Sequence, residues 1–257
     1  FDLSMQLPAR AWPEPARLQQ LLQKLNNAKR PVLIGGHGVW WAKAEAKLEE
    51  AGRLLGIPVF NIPYHQKLLG EECEAYMGLA DIHQYHPSAD AFRDADLVLM
   101  VGGRLDNQMN FGNPPLFPSN AELVCVNGSH EEIEFNRAAD FTLLCDPAAF
   151  LETLVGHRQN PDFRLPRDWY DLNRRWRAAW VDKMLADIDH ETAQPAFEGR
   201  VHPLQLALDV QGAMDDGDWL VIDGGNTHFW SEIAVNIAGF QGKKLGGILH
   251  PGTFSLL

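Results

Sequence analysis

The sequence predicts an α/β fold: a doubly wound parallel sheet followed by the beginning of a second α/β domain. Three observations predict it. Short continuous apolar runs ("PVLIG", "IPVFNIP", "LVLMV", "ELVCV") alternate with segments of helical period, and strands without polar alternation are buried on both faces. Several runs end in glycine or in Asn and Asp, in "IGGHG", "VGGR" and "VNGS", where a helix can follow. Beyond a polar, proline-bearing stretch the pattern resumes with "WLVIDGGN".

Each element follows from local signals. "FDLSMQLPARAWPEPA" holds three prolines and no helical period, so residues 1–9 read as the tail of a preceding domain. Leu18, Leu21, Leu22 and Leu25 then mark an amphipathic helix over 17–27. "PVLIGGHG" is a strand ending in glycines, and "VWWAKAEAKLEEAGRLLG" reads as one helix closed by Gly56. "IPVFNIP" is the next strand. After a polar connection, "SADAFRDADLVLMVGGR" gives a helix and a strand over 97–101. "ELVCVNG", "FTLLCD" and the helix "PAAFLETLVG" complete a domain over 10–157.

"HRQNPDFRLP" opens a helical linker over 158–200, whose helix carries Trp169, Tyr170, Trp176 and Trp180. Residues 201–257 supply the helix "LQLALDVQGAM" and the strand-like runs "WLVID" and "KLGGIL". So small a sheet leaves apolar faces uncovered, and the chain is expected to be a piece of a longer protein.

Composition excludes several function classes. Net charge is -12 and the basic residues are scattered, so counterion release offers no route to nucleic acid. The three cysteines show no paired-ligand spacing and two lie in apolar runs, which fits a reducing compartment. No apolar run reaches the roughly 18 residues a membrane span needs, so a cytoplasmic location is expected.

Ligands of an open parallel sheet bind at the carboxyl ends of its strands. In "IGGHGVWW", Gly35, Gly36 and Gly38 offer close backbone approach to a phosphate, with His37 beside them. Trp41 stands where the dinucleotide fingerprint has its third glycine, which argues against a tight NAD turn. Arg104 follows the next glycine pair with a guanidinium suited to phosphate or ribose. Asn127 ends the following strand where an acid is the usual ribose partner. His83 and His86 are three apart without a third ligand nearby, so no metal site is expected. The eight tryptophans read as packing and interface residues. "DGGNTHFW" sets Gly225, Asn226, Thr227 and His228 at a helix start, neutral donors suited to an anion such as a diphosphate.

Taken in order, these motifs resemble thiamine-diphosphate-dependent enzymes of the acetolactate synthase, 2-hydroxyacyl-CoA lyase and oxalyl-CoA decarboxylase type. "NNAKRPVLIGGHG" through "CDPAAFLETL" is similar to their Rossmann-like central domain. "VIDGGNTHFW" and "HPGTFSLL" are similar to the start of their diphosphate-binding domain, and "GGRLDNQMNFG" is most similar to the lyases. The resemblance implies a lyase or carboligase acting next to a carbonyl on an acyl-CoA or a 2-oxo acid, with the cofactor as electron sink. A non-catalytic nucleotide-binding module is the alternative of another class.

The resemblance also implies site residues. Gly225, Asn226 and Thr227 would meet the diphosphate, Gly252 and Thr253 the aminopyrimidine, and Leu257 the apolar wedge under the cofactor. Gly36, His37, Arg104 and Asn127 would face an ADP or other nucleotide in the central domain. The activating glutamate and the Gly-Asp-Gly to Asn motif for Mg2+ are not among these residues, so no catalytic or metal residue is expected here. The implied partners are the rest of the polypeptide and further copies in a homodimer or homotetramer.

Overall fold

The computed structural model describes residues 9–62, 69, 73–83, 85–133, 135–157, 167–237 and, as backbone, 247–249. Over the central part the chain alternates as expected: α1 (Pro15–Asn27), β1 (Pro31–Gly35), α2 (His37–Trp41), α3 (Glu45–Leu55), β2 (Val59–Asn61), β3 (Tyr76–Leu79), α4 (His86–Asp94), β4 (Leu97–Val101), β5 (Glu122–Asn127), α5 (His130–Ile133), β6 (Phe141–Leu144) and α6 (Pro147–Gly156). The strands form one six-stranded sheet in the order β3-β2-β1-β4-β5-β6, with every neighbouring pair parallel. All residues of β1 and β4 are buried, as unbroken apolar runs covered on both faces require. The order reverses between β1 and β4, which makes their carboxyl ends the switch point of the fold.

Two local readings are corrected. The run after β1 is two helices, because Lys43 takes a left-handed φ of 52° between them. The Ala42 amide closes back on Gly38 O at 3.0 Å, and Ala44 N–H reaches Val39 O at 2.9 Å. The second correction is β3, where the sequence suggested only a polar connection. Gly78, at φ 114°, reads as a turn, yet glycine is needed there for packing. A Cβ would overlap the Tyr85 ring and lie 2.7 Å from Asn236 Oδ1.

The linker region contains α7 (Arg167–Thr192), a docked helix rather than a tether. Trp169 donates Nε1–H to Pro31 O at 2.9 Å, and the Tyr170 hydroxyl donates to Glu74 O at 2.8 Å. Trp180 packs edge-on against buried Tyr85, so these aromatics are packing residues as expected. Beyond it lie α8 (Pro203–Ala213), β7 (Trp219–Val221), α9 (Asn226–Ile237) and β8 (Gly247–Leu249). β7 and β8 pair parallel in a separate two-stranded sheet.

Candidate functional site

The carboxyl ends of β1, β4 and β5 open into a cleft of about 630 Å³. His37 at the start of α2, Arg104 after β4 and Asn127 at the end of β5 all line it. Gly36 lies just before His37, but its glycine serves another purpose than phosphate approach. Its N–H donates to Val101 O at 2.8 Å, that of Gly38 to Gly102 O at 2.7 Å, and that of Val39 to Gly36 O at 3.0 Å. A Cβ on Gly36 would overlap the backbone of Gly103, and one on Gly38 would stand 2.8 Å from the Gly102 Cα. The two glycine pairs therefore let the turns after β1 and β4 pack backbone to backbone, and these amides are not offered to a ligand.

The charged groups are likewise engaged. Arg104 Nε lies 3.2 Å from Glu132 Oε2, and the guanidinium sits over the Phe135 ring at 4.9 Å. Asn127 accepts from the Ser129 amide at 3.2 Å and donates to Gly103 O at 3.4 Å. Asp106 also lines the cleft, and burial raises its carboxyl above the ordinary value against the opposing pull of the Gln108 amide and Arg104. Sequence reasoning missed Asp106, Glu132 and two tryptophans. Trp41 is 75% exposed and Trp219 55% exposed, so these two edge the cleft instead of filling a core. An acid three residues after a strand-end glycine was the available signal for Asp106.

The second expected site lies where β7 leads into α9. Gly225 turns the chain at φ 74° with nothing near the place of a Cβ, and Asn226 and Thr227 stand exposed on the first helical turn. The first amides of a helix have no partner within it and point along its positive end. The neighbouring Asp223 accepts from the Gly224 amide at 2.7 Å. Thr227 also borders a cleft of about 270 Å³ between α8 and α9, with Val210, Leu220 and Trp230. This open, glycine-turned loop with two short neutral donors fits a diphosphate. Gly252, Thr253 and Leu257 lie outside the described residues.

Behind that loop is a buried acid. Glu232 on α9 is 4% exposed, with Oε2 3.3 Å from His228 Nε2. Burial, followed by the charges of Asp81 and Asp106, raises it well above the ordinary carboxyl range. The i, i+4 spacing of His228 and Glu232 was legible, but their burial was not. His83 places Nε2 3.3 Å from Asn107 O, and no group of three metal-type side chains forms among the described residues.

The six-stranded parallel sheet and its switch-point cleft define a doubly wound α/β protein, and comparison with known proteins gives the family. Residues 18–154 match the model of the thiamine pyrophosphate enzyme central domain, and the chain belongs to that family. It is 30% identical over 234 residues to 2-hydroxyacyl-CoA lyase 1 of Dictyostelium discoideum, covering 84% of this chain and 39% of that protein. It is 26% identical over 223 residues to acetolactate synthase of Mycobacterium avium, covering 85% of this chain and 34% of that protein. The chain thus spans well under half the length of these relatives. Among solved structures, the thiamine diphosphate-dependent 4-hydroxybenzoylformate decarboxylase of Rhodococcus jostii shares the fold at a TM-score of 0.62 with 19% identity, covering 97% of this chain and 42% of that one.

Proposed function

We propose that this chain is part of a thiamine-diphosphate-dependent lyase that cleaves the carbon-carbon bond next to the carbonyl of a 2-hydroxyacyl-CoA. The observation that carries the reading is the Gly225–Thr227 turn at the start of α9, open and lined by neutral donors, in a chain of this family. The similarity to a 2-hydroxyacyl-CoA lyase over most of the chain supports the substrate class. When bound, the cofactor would supply the electron sink, and Asn226, Thr227 and the helix amides would hold its diphosphate. Mg2+ belongs to the same proposal, with ligands from elsewhere in the protein, as does assembly into a homodimer or homotetramer. No described helix is long and apolar enough to cross a membrane.

The test is to incubate the intact protein, with thiamine diphosphate and Mg2+, with 2-hydroxyacyl-CoA thioesters and with pyruvate. Release of formyl-CoA and the shortened aldehyde is expected. Acetolactate instead would shift the assignment to the synthases, and no turnover or cofactor binding would defeat the enzyme reading. The proposal leaves the central cleft without ADP, because the turn amides are bonded within the protein and Arg104 faces Glu132. Calorimetric titration with ADP should show no saturable heat in the micromolar range, and tight binding would restore the nucleotide-module reading.

A further inference from the structure

The last turn of α9 seals an open edge of the central sheet. β3 is an outer strand, and it bonds inward to β2 through amides such as Ala80 N–H, which donates to Asn61 O at 2.7 Å. Backbone groups alternate sides along a strand, so Leu79 N–H points outward, where an edge amide has no strand to pair with. It donates instead to Oδ1 of Asn236 at 2.7 Å. Asn236 is fully buried, and its Nδ2 donates to Glu232 O at 3.0 Å. Both ends of the side-chain amide are engaged, which fixes its orientation, because the reverse would set donor against donor and acceptor against acceptor.

The surroundings are shaped to this contact. A Cβ on Gly78 would lie 2.7 Å from Asn236 Oδ1, so a glycine on the strand makes room for the side chain. Leu79 packs there with Ile222 and Val235 of the second domain. Arg177 of α7 places Nη2 3.4 Å from Asn236 O, in the last helical turn where carbonyls lack partners within the helix, and its guanidinium lies 5.6 Å from the centre of the Tyr76 ring. α8 is joined to the same helix, since Gln211 Nε2 donates to Ser231 O at 2.9 Å and the Trp230 and His202 rings meet edge-on at 5.6 Å. α9 has 12 residues and is therefore a rod about 18 Å long, with the Gly225–Thr227 turn at its other end.

We propose that Asn236 is a positioning residue: its hydrogen bond to the outward Leu79 amide ties α9 to the edge of the central sheet and so sets the Gly225–Thr227 turn, at the far end of that helix, for the cofactor's diphosphate. The tie stands on the hydrogen bonds themselves, while its consequence for the cofactor rests on the function proposed above. Coupling between two places in one molecule acts in both directions. Holding the edge steadies the turn, and cofactor bound at the turn holds the edge.

The experiment is hydrogen exchange of the Leu79 and α9 amides in the intact protein, with and without thiamine diphosphate and Mg2+, together with cofactor titration and turnover of a 2-hydroxyacyl-CoA. In the parent protein the cofactor should raise protection at Leu79. Asn236→Leu keeps the size and removes both polar atoms, which leaves the Leu79 amide buried without an acceptor. It should lose about tenfold or more in protection at Leu79 and α9 and weaken thiamine diphosphate by a similar factor. Its kcat at saturating cofactor and its β1 and β4 amides should match the parent, which separates positioning from general loss of structure. Asn236→Asp keeps an acceptor for Leu79 N–H and should recover most of the protection and affinity, as a space-filling role would not. A Leu variant that binds the cofactor as the parent does, or an Asp variant as loose as Leu, overturns the proposal. So does a parent protein in which bound cofactor leaves Leu79 exchange unchanged, a result that needs no substitution. If the parent binds no thiamine diphosphate, the function proposed above falls, and exchange of the two variants alone then upholds or overturns the tie.

Discussion

At the residue scale, Gly36 shows how one sequence signal covers two physical causes. Glycines at a strand-to-helix turn mark a backbone that must come close to something, and the sequence could not say whether that something is a phosphate or another chain segment. Here it is the backbone of Gly103. Gly36→Ala should therefore destabilise the protein by about 1–3 kcal/mol, as overpacking does, and lower the thermal midpoint. Gly156→Ala at the end of α6 meets nothing within 4 Å and should be neutral or stabilising by up to about 1 kcal/mol, which separates crowding from helix propensity. The cysteines were legible as small apolar residues. All three are buried, and burial pushes the Cys145 thiol up to about 12. A chromogenic disulfide reagent should find no reactive thiol in the native protein near pH 8 and should react only as unfolding proceeds.

At the element scale, helices and buried strands were legible where periodicity or apolar runs were long. β3 was missed because its four residues include a glycine explained only by Tyr85 and Asn236, far off in sequence or on another element. The break between α2 and α3 was missed because one left-handed residue leaves no mark on an amphipathic pattern. Both outer strands are managed by side chains, a feature no local pattern reveals. On β3, the Tyr85 hydroxyl donates to Met77 O and Asn236 accepts from Leu79 N–H. On β6, Arg17 from α1 donates Nε and Nη2 to Thr142 O at 3.0 and 2.7 Å while lying over the Phe141 ring. Such contacts occupy edge groups that would otherwise template another strand. Arg17→Met keeps an apolar stem but leaves that carbonyl without its charged donor. It should cost about 1–3 kcal/mol, seen as a lower urea midpoint with unchanged slope.

At the scale of the whole molecule, the sheet order follows from rules the sequence already invoked, since parallel strands with helical crossovers and a glycine-rich turn at the centre place a cleft at the switch point. The docking of α7 and α9 was not legible, because it depends on which polar side chains end up buried, and burial belongs to the tertiary structure. This unevenness predicts uneven stability. β1 and β4 are wholly buried, and β5 nearly so, within a core that also takes in Trp169 and Trp180 of α7. β7 belongs to a two-stranded sheet, and its Trp219 and Val221 side chains are 55% and 70% exposed. Its near neighbour Ile222 belongs to a small separate cluster with Leu79 and Val235. A two-stranded sheet is marginal alone, and amides exchange through the smallest opening that frees them. In the 257-residue chain, the amides of β7 should exchange at least about a hundredfold faster than those of β1, β4 and β5, which should open only with global unfolding. Exchange followed by mass spectrometry at peptide resolution measures this directly, and equal protection in the two sheets would show that they unfold as one cooperative unit.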